Sequence, residues 1–241
     1  MKKFLSAIFA LLWAGLAPAV SLSAPCPASG DSIVVGSLGD ATTMIAMLSS
    51  DSASHEMSDY CFNGLLKYDK DLNLVGDLAH SWKVSPDQRT MTFYLRQGAR
   101  FHDGQPYTAH DALFNWQFMV DPNTPTPYAY DYTRVSQAKV IDEYTFQVTY
   151  EVPYSHALAS WTLPQLPRHL LEGQDARTSP LGRNPIGTGP FRFKEWKPGQ
   201  HVSLVFNDDY FEGRPCLDGV IYRVIPDLAT MFLELAGGGL D

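Results

Sequence analysis

The chain has 241 residues, 45% of them apolar, 18% charged and 12% aromatic, enough to fill a core in one large domain or two small ones. Its formal charge is −8, and removing a leader that carries Lys2 and Lys3 takes it to −10. No Lys/Arg block interrupts the acidic balance, which argues against a nucleic-acid partner.

The first residues read as a targeting segment. "MKK" is a charged start, and "FLSAIFALLWAGL" is an apolar run of 13, too short for the roughly 20 residues of a spanning helix. Residues 1–23 are therefore assigned to a secretory signal peptide. Small residues in "APA" favour cleavage after Ala19, with Ser23 as the second choice. A second maturation route stays open, because Cys26 follows "LSAP" and could carry a lipid, although Pro25 is a poor residue just before a lipidated cysteine. Three cysteines, Cys26, Cys61 and Cys216, stand far apart without a C-x-x-C. Export permits a Cys61–Cys216 bridge; the other reading is two buried free thiols and one near the mature terminus.

The body, 24–241, begins with a strand over "SIVVG" (32–36), then a short helix within "SDSASHEMSDYCFN", a turn at Asn63-Gly64 and an extended segment. "LAHSWKVSPDQRTMTFYLR" predicts a hairpin turning at "SPDQ", with Met91, Phe93 and Leu95 on one face. "YTFQVTY" alternates in the same way, placing Tyr144, Phe146, Val148 and Tyr150 together. "ALASW" and "PRHLLEG" fit short helices, "GPFRFKEW" and "HVSLVFN" a hairpin about "KPGQ", and "GVIYRVI" a strand covered on both faces. "PDLATMFLELAGGG" predicts a helix capped by Asp227 and stopped by glycines. Helices and strands mix without a regular βαβ beat, so the class is α/β or α+β with mixed sheets.

"FHDGQPYTAHDALFNW" carries two His-Asp pairs, at 102–103 and 110–111. Converging ligands would make an exported metal- or His/Asp-dependent hydrolase. Metal-binding histidines, however, favour compact spacings such as i, i+4, and these are eight residues apart. Asp103-Gly104 is instead a turn signal, and Thr108 with Asp111 forms a capping box that opens a helix. "GTGPF" (187–191) contains G-x-G, but a proline and a strand follow it, so no helix N-terminus is there to hold a phosphate. No cofactor or catalytic centre is assigned.

Three stretches together resemble the extracellular solute-binding proteins, family 5, of bacterial ABC importers. They are "FNGLLKYDKDLNLVGDLAHSWKVSPDQRTMTFYLRQGARFHDGQPYTAHDALFNW", "NPIGTGPFRFKEWKPGQHVSLVFNDDYFEGRP" and "LDGVIYRVIPDLATMFLELAGGGLD". The resemblance covers nearly all of 33–241 and favours the peptide-binding branch. It implies a type II periplasmic binding protein fold with two lobes closing on a ligand. Residues 24–241 correspond to the first lobe only, ending near the interlobe hinge, so the second lobe and the chain's return are expected to be missing. Where the family usually has Ala-Gly-Glu-Ile/Val-Asp, this chain has Ala-Gly-Gly-Gly-Leu-Asp. The implied protein is a monomer, not an enzyme, on the outer side of the inner membrane. It would bind an oligopeptide or similar small solute and meet an ABC permease. A structural or chaperone-like role is the third alternative. For the first-lobe wall of the cleft, the resemblance implies Ser37, Leu38, Gly39, Asp40 and Thr42, with Asn63 and Trp161 as further candidates. The first-lobe chain is expected to bind weakly alone and to expose an unpaired sheet edge.

Overall fold

The computed structural model describes Cys26 and residues 29–241. Residues 1–23, expected to be a signal peptide, lie outside the described residues. Among the described residues the chain forms ten strands and five α-helices. In the first half are β1 (Ser32–Ser37), α1 (Ser52–Cys61), β2 (Leu66–Tyr68), β3 (Leu74–Gly76), β4 (Ala79–Val84), β5 (Thr90–Leu95) and α2 (Ala109–Val120). Then come α3 (Ala129–Thr133), β6 (Val135–Asp142), β7 (Thr145–Tyr150), α4 (Arg168–Leu171), β8 (Phe191–Lys197), β9 (His201–Phe206), β10 (Gly219–Val224) and α5 (Leu228–Ala236).

One sheet is antiparallel, in the order β4-β5-β7-β6. Its two inner strands are those with the clearest period-2 pattern, and every second residue of each, from Met91 and from Phe146, is buried. Phe93 faces Phe146 across the pair, and Trp161 packs its ring 5.5 Å from Phe93, 5.4 Å from Phe146 and 5.2 Å from Tyr132. β6 has no comparable pattern. It is an edge strand, so most of its residues face water and polar side chains serve it well.

The second large sheet has the order β1-β10-β9-β8 and is mixed, because β1 and β10 run parallel while the rest is antiparallel. β10 is a central strand, as its apolar run indicates. β1 forms an edge; Asp241 N donates to Val34 O at 3.0 Å on its outer side. A separate hairpin joins β2 to β3.

The disulfide corrects the cysteine reading. Cys26 is bonded to Cys216, and Cys61 is the buried free thiol, its pKa raised by burial. The cause is the parallel pair. Running β1 beside β10 brings the segment before β1 against the segment before β10, where Gly30 N donates to Cys216 O at 3.0 Å and Asp218 N to Asp31 O at 2.7 Å. Cys61, at the end of α1, is instead covered by 187–189. Gly187 and Gly189 approach its carbonyl so closely that a side chain at either would collide with it. The bridge links residues 190 apart in sequence, worth about 5 kcal/mol on a chain-entropy account.

Of the two His-Asp pairs, His102, Asp103 and Asp111 bond the backbone, while His110 is exposed. Thr108 N donates to Asp111 Oδ2 at 3.0 Å, completing the cap that opens α2. His102 braces the 187–189 segment, with Nδ1 accepting from Gly187 N at 3.3 Å and Nε2 donating to Gly189 O at 3.1 Å. Burial pushes its pKa from 6.5 down to about 4. The folded state thus holds the imidazole neutral while the unfolded chain protonates near 6.5. The unfolded state binds the extra proton between those two values, so stability present above pH 6.5 is lost as pH falls toward 4, by about 3 kcal/mol at most. Replacing the ring with a non-titrating amide, His102→Gln, is expected to flatten the dependence of denaturation midpoint on pH between 6.5 and 4. An unchanged slope would show that another group sets it.

Candidate functional site

Parallel strands send their carboxyl ends to the same edge of a sheet, and in open α/β sheets that edge is where crevices for ligands form. Here the β1–β10 ladder ends at the Ser37–Val224 pair, closed by Ile225 N donating to Ser37 O at 2.7 Å. β1 continues into Leu38-Gly39-Asp40, and β10 into Pro226-Asp227 and α5. Between these exits and the start of α1 lies a groove of about 420 Å³, lined by 36–40, 51–53, Glu56, Leu228 and Met231.

Each wall is fixed by a local device. Asp51 caps α1 by accepting from Ser54 N at 2.7 Å, and its Oδ2 also accepts from Thr42 Oγ1 at 2.7 Å and Ser54 Oγ at 2.8 Å. Burial opposes ionisation of this carboxyl, but the hydrogen bonds from Ser49, Thr42 and Ser54 outweigh it and hold the pKa at about 2. Asp227 caps α5 through Thr230 N at 2.7 Å. Asp40 accepts from Trp196 Nε1 at 3.0 Å and from Gly199 N at 2.8 Å, tying the segment after β1 to the β8–β9 hairpin. Ser37 Oγ donates to Gly39 O at 2.8 Å, shaping the turn, and Leu38 is left half exposed. Nothing stands within 4 Å of where a side chain on Gly39 would begin.

The structure therefore gathers Ser37, Leu38, Gly39 and Asp40 on one groove, with Thr42 behind them, bonded to Asp51. Two other candidates sit elsewhere. Trp161 is fully buried in the antiparallel-sheet core. Asn63 is a buried polar hub, with Nδ2 donating to both Asp77 oxygens and to Tyr210 OH, and Oδ1 accepting from Thr188 Oγ1 at 3.0 Å. The α5 residues Leu228 and Met231 and the α1 residue Glu56, absent from the sequence reading, complete the groove. Their signal was topological: a helix following a central strand starts at that strand's carboxyl edge.

Among the described residues no three His, Cys, Asp or Glu side chains are placed to hold a metal ion. His169 Nε2 and Asp103 Oδ2 meet at 2.7 Å, a His-Asp contact that sequence spacing did not suggest. A second groove, about 440 Å³, lies between the end of α2 and 171–177, away from the strand ends; there Asp175 and Arg177 pair with each other.

A mixed sheet with a groove at its parallel strand ends is the architecture of a type II periplasmic binding protein lobe. Sequence and structure comparisons agree. Residues 73–241 match the bacterial extracellular solute-binding proteins, family 5 (middle), and the chain belongs to that family. It is 36% identical over 227 residues to the oligopeptide-binding protein AppA of Bacillus subtilis, covering 91% of this chain and 41% of AppA. The AppA structure with a nonapeptide superposes with a TM-score of 0.83 at 32% identity, over 89% of this chain and 44% of that one. NikZ from Campylobacter jejuni, in complex with Ni(L-His), gives 0.82 at 26% identity, over 88% and 42%. The chain thus spans less than half the length of these relatives.

Asp40 is the residue whose removal most directly loosens the groove. Asp40→Ala is expected to cost about 1.5–3 kcal/mol, the range for hydrogen bonds to a charged group, and to speed amide exchange over residues 38–42. Unchanged exchange there would show that the turn is held without it.

Proposed function

We propose that the chain is the first lobe of an exported receptor that captures oligopeptides and passes them to an ABC permease in the inner membrane. On this reading the receptor performs no chemical step, and energy for transport comes from the permease's ATPases. Residues 1–23 are the secretory signal, and 24–241 the lobe that works outside the inner membrane. The carrying observation is the groove where β1 and β10 end. There the backbone of Leu38 and Gly39 has left the sheet pairing and can meet an extended peptide strand-to-strand. The peptide class is supported by the 36% identity to the oligopeptide-binding AppA.

A groove open on one side also sets a limit. Pockets that bind small ligands well bury about 70–90% of them, and a micromolar site needs about 8 kcal/mol. A single wall supplies only part of that, so the receptor is assigned a second wall closing from the other lobe, as hinge-closing receptors do. Binding is therefore tested on the protein expressed from its full gene.

Gly39 offers a clean test, since it has open space around it and lies outside the positive-φ region. In a thermal-shift titration with a mixed peptide library, the wild type is expected to gain stability in proportion to RT ln(1 + [L]/Kd). Gly39→Trp is expected to keep its ligand-free midpoint and to lose at least about tenfold in peptide affinity, equivalent to 1.4 kcal/mol. Full peptide response in Gly39→Trp would place the ligand elsewhere.

A further inference from the structure

We infer that Cys26 is a disulfide cysteine and not a lipid anchor. The two fates compete for one atom. Lipidation joins the sulfur to a glyceryl carbon as a diacylglyceryl thioether and displaces the thiol proton, which leaves no sulfur free for a bridge. In the structure that sulfur is already joined to Cys216.

The bond has a structural task at that place. β1 is an edge strand that enters the sheet first, and its one strand partner is β10, from the far end of the chain. Among the described residues, two backbone hydrogen bonds stand ahead of the pair, Gly30 N to Cys216 O and Asp218 N to Asp31 O. The disulfide lies just outside them and closes the amino end of the pair. Without it the first strand is free to peel from that end, and the strand carries Gly36 to Asp40, one wall of the groove, at its other end. A lipid on Cys26 would remove this clasp and tie the same segment to a membrane.

Formation of the bond is a two-electron oxidation. The Cys26 and Cys216 thiols give up two protons and two electrons to a disulfide-bearing thiol oxidant, which leaves as the dithiol. Such oxidants act outside the cytoplasm, so the inference rests on the export proposed above. It makes no use of a ligand, and its failure is therefore distinguishable from failure of the peptide-binding reading.

The test uses the protein expressed from its full gene in an exporting bacterium, with thiols trapped by an alkylating agent at lysis. Peptide mapping without reductant is expected to find the Cys26 peptide linked to the Cys216 peptide, and a mature N-terminus upstream of Cys26. Partition between detergent and water is expected to leave the protein in the aqueous phase. A mature chain that starts at Cys26 and carries a diacylglyceryl thioether overturns the inference, as do alkylated Cys26 and Cys216. As a second measurement, Cys26→Ser and Cys216→Ser should lower the melting temperature equally, and the double variant no further, because one bond is lost in each case. Additive losses would contradict a shared bond.

Discussion

The parallel pairing of β1 with β10 is the constraint on which the rest depends. It joins the start of the described chain to its end and aligns Ser32 with Gly219 and Ser37 with Val224. That register decides what lies at each end of the pair. At the amino end it brings Cys26 to Cys216, and at the carboxyl end it sets Leu38-Gly39-Asp40 beside the first turn of α5. A slip of one residue would turn every side chain of β1 to the opposite face. The disulfide, the Asp31–Asp218 and Ser37–Ile225 backbone bonds and the Asp40 contacts to Trp196 and Gly199 all resist that slip. The groove is thus placed by long-range pairing, and local bonds such as the Asp51 and Asp227 helix caps shape its walls.

That origin explains what the sequence could and could not show. Local chemistry was legible: Thr108 and Asp111 at the head of α2, Asp227 at the head of α5, and the alternation of Met91, Phe93 and Leu95. Each depends on residues a few positions apart, so its signal is intact in a short window. β6 was missed because an edge strand can satisfy its outer face with polar residues, which erases the period. The disulfide partner was misread because the nearness of Cys26 to Cys216 exists only once β1 and β10 have paired. Cys61, which looked equally available, is covered by a segment whose glycines permit contact with its carbonyl.

The candidate site shows the same division. The resemblance pointed to Ser37, Leu38, Gly39, Asp40 and Thr42; the first four line one groove, and Thr42 stands behind it, bonded to Asp51. Asn63 and Trp161 are conspicuous as a polar turn residue and a tryptophan in a proline-rich connection, yet their side chains are spent inside the protein. Asn63 joins three otherwise separate segments through Asp77, Tyr210 and Thr188, and Trp161 plugs the antiparallel sheet. The histidines follow suit. His102 holds two glycine backbones in place, so the ring of this reactive-looking stretch is engaged in the frame of the fold.

The central claim is that the groove at the ends of β1 and β10 forms the first-lobe wall of the peptide site. Hydrogen–deuterium exchange of the full-gene protein, with and without a saturating peptide, tests it most directly. The account predicts slowed exchange at 36–40 and around Leu228–Met231, with 117–125 and 171–177 unaffected. Protection confined to the groove beside α2, with 36–40 exchanging as freely as before, would contradict it.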